Sequence, residues 1–147
     1  MIETKGDLWK IGRTADAIVI TTNSTVKRNG ENIMGGGCAW EAAQRYPLLP
    51  GCLGARLQNK GNHVHVFHYD SRQAIVTMPT KNDVSNPSNL NLIERSTREL
   101  VEYAEDYGWK RVVMPRPGCG LGGLHWADVE PVISRHLDDR FTVVTFK

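Results

Sequence analysis

An α/β domain with helices on both faces of a mostly parallel sheet is the fold this sequence predicts. Three observations lead there. Strand-like and helix-like patterns alternate along the chain. Two of the strand-like runs pass through a glycine-rich loop straight into a helical pattern. The 147 residues make one domain, long enough to bury an ordinary core without staples.

The elements follow in order. A short strand is expected at 2–4 and a second at 17–22, around the apolar run Ala17-Ile18-Val19-Ile20. Residues 23–33 are polar and turn-rich, with Asn29-Gly30 as a strong turn signal. Met34-Gly35-Gly36-Gly37-Cys38 then opens a helix over 39–46, with Ala39, Ala42, Ala43 and Tyr46 on one stripe and Pro47 as its stop. Further helix is expected at 53–59, and strands at 64–68 and 74–78; 80–87 reads as irregular. The long helix at 89–107 has a stripe of Leu90, Ile93, Leu100, Val101 and Ala104, Ser88 as its N-cap and Gly108 at its end. A strand at 111–114 leads into Gly118-Cys119-Gly120-Leu121-Gly122-Gly123, four glycines in six residues. A helix at 127–137 follows, with Val129, Val132, Ile133 and His136 on one face. The β-branched and aromatic run 141–146 is the last strand.

Strand, glycine loop, helix is a layout in which backbone N–H groups close around a phosphate, helped by the partial positive charge of the helix start. Two such units in one small chain point to a diphosphate ligand, held beyond the carboxyl ends of the strands. Neither loop has the Gly-x-Gly-x-x-Gly spacing of a dinucleotide site or the Gly-Lys-Ser/Thr ending of an NTPase loop, which excludes those two classes. With 18 basic and 16 acidic residues, nothing marks an electrostatic nucleic-acid binder. Three cysteines without Cys-x-x-Cys spacing favour reduced thiols, and no run approaches membrane length; a cytosolic protein with no membrane partner is expected.

The order and spacing of Gly6-Asp7-Leu8, Asp16-Ala17-Ile18-Val19-Ile20-Thr21-Thr22-Asn23, Gly35-Gly36-Gly37 and Gly118 to Gly123 resemble a macro domain, the ADP-ribose-binding fold. Met78-Pro79-Thr80-Lys81, Pro87-Ser88 and the stretch from Pro115 to Trp126 look like the branch of DarG antitoxins and phage-encoded macro domains. The human terminal ADP-ribose glycohydrolase belongs to the same wider branch. The resemblance runs through nearly the whole chain. It implies a single three-layer α/β/α macro domain over 1–147 with a mixed, mostly parallel sheet. It also implies that Asp7 accepts the adenine amino group with Leu8 packing nearby, and that Asn23 bonds the distal ribose. Gly35, Gly36 and Gly37 would pass close to that ribose and the diphosphate, and Gly118, Cys119, Gly120, Leu121, Gly122 and Gly123 would wrap the diphosphate. Lys81 matches the lysine that attacks the anomeric carbon. Two positions depart from the family pattern: Ile20 stands where many macro domains have an asparagine, and Gly122 where the human enzyme has an acidic residue.

The implied activity is hydrolytic removal of ADP-ribose from a modified target, either a nucleobase in single-stranded DNA or an acidic side chain. The alternatives are a non-catalytic reader of ADP-ribose-like nucleotides and a phosphatase acting on ADP-ribose 1″-phosphate. Lys81 separates the first from the second. A neutral lysine amine can trap the opened sugar as a Schiff base, and with no cationic neighbour in sequence, desolvation would have to keep it neutral; otherwise it is a solvated loop lysine. Cys119 reads as a small buried filler, with a thiolate nucleophile as the alternative, and Trp126 as a packing anchor. His63 and His65 share a face of the expected strand, a spacing metals accept, but no cysteine or carboxylate completes a set; no metal and no cofactor are expected.

Overall fold

The computed structural model describes residues 1–146. Six strands form one sheet: β1 (Ile2–Lys5), β2 (Ala17–Thr22), β3 (His65–His68), β4 (Ala74–Pro79), β5 (Val112–Pro115) and β6 (Phe141–Thr145). Their order across the sheet is β1-β6-β5-β2-β4-β3. Every pairing is parallel except β3 on β4. The central strands β2, β4 and β5 are apolar and buried almost without interruption, as strands covered on both faces must be.

Helices α1 (Leu8–Ile11), α2 (Gly37–Arg45) and α3 (Leu49–Lys60) cover one face; α4 (Leu90–Tyr107) and α5 (Trp126–Ser134) cover the other. Two cores result. Leu8, Ile18, Ile20, Ala42, Leu49, Leu53 and Ile75 fill the first. Ile93, Leu100 and Ala104 of the expected stripe meet Val76, Met78, Met114 and Ile133 in the second, with Leu90 and Val101 at its margin. Ser96 and Thr97 are also fully buried on α4, and each is satisfied: Ser96 Oγ donates to Pro79 O at 2.8 Å and Thr97 Oγ1 to Ile93 O at 2.7 Å. The Ser96 bond fastens α4 to the last residue of β4.

Several boundaries differ from expectation, each for a local reason. Helix α1 is a single turn, too short for an apolar period, and it forms because Asp7 Oδ1 accepts from Trp9 N and Lys10 N. Helix α3 begins at Leu49, four residues before the expected start, because Pro50 is tolerated in a first turn. Asn89, not Ser88, caps α4, accepting from Leu92 N at 3.0 Å. Gly108 ends that helix in the left-handed region at φ 69°. His63 does not share a strand face with His65: its N–H closes a turn onto Gly61 O, and β3 starts only at His65.

Helix α3 lies directly against the 23–33 segment, where a Cβ added at Gly54 would stand 1.8 Å from Gly30 O. Gly54→Ala is expected to destabilise the fold by about 1–3 kcal/mol in urea unfolding, since backbone must move. Gly51→Ala, in the same helix with nothing within 4 Å, should instead add up to about 1 kcal/mol. Equal effects at both sites would remove the backbone contact as the cause.

Candidate functional site

The carboxyl ends of β2, β4, β5 and β6 open into one cleft of about 880 Å³. Thr21, Thr22 and Asn23 line it from β2, Thr80 and Lys81 from β4, Pro115 and Arg116 from β5, and Val144, Thr145 and Phe146 from β6. Gly35 to Gly37, Gly118 to Gly122 and Leu124 to Trp126 add to the lining. The two glycine loops therefore meet on one cavity, and the start of a helix lies behind each: α2 behind Gly36 and α5 behind His125. Both helix starts favour an anion there.

The first loop is held by a buried asparagine pair. Asn23 Nδ2 donates to Ile33 O at 2.9 Å, while Asn23 Oδ1 accepts from Thr25 N and from Asn32 Nδ2. Asn32 Nδ2 also reaches Asn23 O and Thr25 O. These bonds fold 23–33 back on itself and deliver Gly35, Gly36 and Gly37 to the cleft. Gly37 takes φ 57°, where a side chain would be strained. Leu121 of the second loop touches the first: a Cβ at Gly36 would lie 2.5 Å from its Cδ1. Leu121 is otherwise 81% exposed, so it caps the junction of the loops from outside.

Lys81 sits on a stitched segment. Thr80 N donates to Thr22 O at 3.0 Å, continuing the β2–β4 ladder past the strand ends, and Asn89 N donates to Thr80 O at 2.9 Å. Beyond Lys81, Ser24 N donates to Asn82 O and Thr25 Oγ1 to Asp83 Oδ1. Hydrogen bonds from Thr25 and Ser85 hold the Asp83 carboxyl below its ordinary range. The Lys81 side chain is half-buried and has no ion-pair partner among the described residues.

The second loop turns on Gly118 and Gly123, at φ 76° and 79°. Leu124 N donates to Gly118 O at 2.9 Å and closes it. Gly122 has no room for a side chain: its Cβ would lie 2.1 Å from Ser88 Oγ and 2.7 Å from Gly118 O. Cys119 is half-buried, and burial pushes its thiol up more strongly than Arg116 lowers it, which argues against an activated thiolate. Cys38 is pushed up by burial as well. Trp126 donates its Nε1 to Glu3 Oε1 at 3.1 Å and lies under the Arg116 guanidinium, 4.5 Å from the ring centre.

Asp7 and Leu8 lie outside the lining. Leu8 is fully buried and Asp7 is exposed, although Gly6 N donates to Thr145 O and so tethers Asp7 beside the end of β6. Gly123 also lies outside the lining, at the turn that closes the second loop; the remaining expected residues gather at the cleft. Sequence reading missed Ser88, Arg116 and Phe146 as lining. The last two directly follow the ends of β5 and β6, a position that by itself marks cleft residues in a parallel sheet. The lining holds no Asp or Glu among the described residues; its charged side chains are Lys81 and Arg116. His63 and His65 are engaged elsewhere: His63 Nδ1 pairs with Glu99 Oε2 at 2.7 Å, and buried His65, its pKa lowered by desolvation, meets Gly61 O through Nε2 at 3.0 Å.

Comparison with known proteins bears on the same residues. A family model for the Macro domain matches residues 60–133, half of the chain. The chain is 29% identical over 131 residues to a DNA ADP-ribosyl glycohydrolase of Mycobacterium tuberculosis, covering 85% of this chain and 35% of that protein. It spans between 15% and 35% of the length of the curated relatives it matches. Among solved structures, the macrodomain of Thermus aquaticus DarG superposes with a TM-score of 0.81 at 21% identity, over 99% of this chain and 97% of that one. Thermosipho africanus DarTG in complex with ADP-ribose gives 0.81 at 21% identity, over 99% of this chain and 42% of that one.

The raised Cys119 thiol has a measurable consequence. Its alkylation by iodoacetamide at pH 7.5, followed by mass spectrometry, should be slower than that of a small free thiol and should climb only at higher pH than that thiol's. Fast labelling at neutral pH would restore the thiolate reading.

Proposed function

The chain belongs to the Macro domain family, and on that premise we propose that it lays ADP-ribose along the cleft and removes it from a modified target, a nucleobase of single-stranded DNA. The observation that carries this reading is Lys81 at one end of a cleft floored by two glycine loops. From β4 to β6 the cleft crosses three strand spacings, about 14 Å. That span suits an extended nucleoside diphosphate sugar. The relatives named DNA ADP-ribosyl glycohydrolase support the choice of target.

In this pose the adenine lies near exposed Phe146 and Asp7, with Leu8 packed beneath. Asp7 Oδ1 is committed to its helix cap, so Oδ2 is the oxygen available to the adenine amino group. The diphosphate lies between Gly35, Gly36 and Gly37 on one side and Gly118 to Gly123, with Cys119 and Leu121, on the other. Asn23 spends one amide N–H on Ile33 O, and its second is free for the distal ribose.

Lys81 then acts on the anomeric carbon. The Lys81 amine bonds to C1″ as the glycosidic bond to the base breaks, the proton it gives up goes to the departing base, and the glycosylamine so formed opens at its C1″–O4″ bond. Water adds to the resulting Schiff base, releasing ADP-ribose and the lysine. With no lining carboxylate, no acidic side chain competes with Lys81 for this role. The same absence favours the second reading, a binder of ADP-ribose without turnover, and the lysine variant separates the two.

ADP-ribose at about one hundred times its dissociation constant should stabilise the fold by roughly 2.7 kcal/mol in thermal melts. A melt unmoved by millimolar ADP-ribose would sink the family-based pose. Lys81→Ala should abolish turnover of ADP-ribosylated DNA while holding ADP-ribose affinity within a few-fold, and cyanoborohydride during turnover should trap an adduct on Lys81 in the unsubstituted chain. Full turnover in the alanine variant would return Lys81 to a solvated loop lysine.

The DNA path would run over 23–33, where Lys27 and Arg28 are exposed; Lys27 is 3.5 Å from Glu31. Lys27→Glu with Arg28→Glu should slow turnover of ADP-ribosylated single-stranded DNA and flatten its salt dependence, leaving ADP-ribose affinity unchanged. Unchanged DNA kinetics would point to acidic side chains or a small nucleotide as the substrate.

A further inference from the structure

Ser88 is a buried polar residue that neither the fold nor the proposed chemistry uses. It is 7% exposed, it lines the cleft, and its Oγ has no hydrogen-bond partner among the described residues. The role its position suggests, capping α4, belongs to Asn89. A buried hydroxyl without a partner is destabilising, and native structures rarely retain one without a use.

Its placement indicates the use. Ser88 N donates to Gly122 O at 3.2 Å, and the neighbouring Asn89 N donates to Thr80 O, next to Lys81. Ser88 therefore joins the lysine-bearing segment to the second glycine loop. Its Oγ stands 2.1 Å from where a Cβ on Gly122 would be, and its Cβ 3.1 Å from where one on Gly118 would be. The hydroxyl fills the space that a side chain at 122 would otherwise occupy in the cleft wall. Loop carbonyls Gly118 O and Gly122 O are already taken, by Leu124 N and Ser88 N. Ser88 thus lines the cleft wall between the second loop and the Lys81 segment.

We propose that Ser88 is a ligand-binding residue whose hydroxyl donates to the phosphate on the distal-ribose side of the bound diphosphate. The proposal rests on the ADP-ribose pose above. It makes Ser88 the side-chain counterpart of the backbone donors of the loop, and it fixes that phosphate relative to Lys81.

Calorimetric titration with ADP-ribose and with AMP, alongside thermal melts of the unliganded proteins, tests it. Ser88→Ala should bind ADP-ribose roughly ten- to a hundredfold more weakly, the loss of a hydrogen bond to a charged group. Its affinity for AMP, which ends before the second phosphate, should hold, and its own melting temperature should be unchanged or higher because an unpartnered hydroxyl is gone. Ser85→Ala, whose hydroxyl is committed to Asp83, should bind both ligands normally. Unchanged ADP-ribose affinity in Ser88→Ala overturns the proposal, as does an equal loss for both ligands or a lower melting temperature with affinity intact. Failure of the unsubstituted protein to bind ADP-ribose would instead overturn the pose itself.

Discussion

The parallel pairing of β2 with β4 is the interaction on which the site depends. It runs from Ala17 opposite Ala74 to Thr22 opposite Pro79, and Thr80 N on Thr22 O carries it one bond further. Because the strands are parallel and in this register, both chains leave the sheet at the same height. Asn23 and Lys81 are delivered side by side without any contact between them having to do the work. The pairs β2–β5 and β5–β6 repeat the arrangement and bring Arg116 and Phe146 to the same edge. A one-residue slip of β4 would turn Thr77 and Met78 about the sheet and carry Lys81 out of the cleft.

That register explains why much of the site was legible in the sequence. Parallel strands buried on both faces read as unbroken apolar runs, so their ends are easy to find, and glycines placed just after them have few purposes other than close approach. What was missed depends on contacts between segments far apart in the chain. Nothing around Ser88 announces that Gly122 lies over it, and the adjacent Asn89 is an equally good cap. Arg116 and Phe146 lie one residue beyond the observed strand ends, and the expected strands, ending at 114 and 146, were each off by one residue there. Helix α1 is a single turn built on one Asp7 oxygen and leaves no period to read. The apparent His63–His65 face failed because alternation was extended through a turn that Gly61 starts.

The cleft is electrostatically simple. Two helix starts, Lys81 and Arg116 are set against no lining carboxylate among the described residues. Such a site holds an anion through backbone dipoles and does not need a dense cluster of basic side chains, which is consistent with a chain carrying 18 basic and 16 acidic residues. Arg116 is partly spent already, stacked on Trp126 and 3.7 Å from Glu3, so it shapes the β6 end more than it adds free charge.

The wall between Lys81 and the second loop also decides which chemistry is open to the site. Gly122 is enclosed by Ser88 Oγ and by Gly118 O and Cα, two of them backbone atoms that cannot turn aside. A carboxylate therefore cannot be supplied from that position by substitution alone; the loop would have to be rebuilt around it. No acidic side chain lines this cleft among the described residues. The hydrogen bonds that join Thr22 to Thr80, Thr80 to Asn89 and Gly122 to Ser88 hold the Lys81 segment at a set distance from the second glycine loop. Glycine at 122 is thus a consequence of this packing, with Ser88 beneath it on the side of the Lys81 segment.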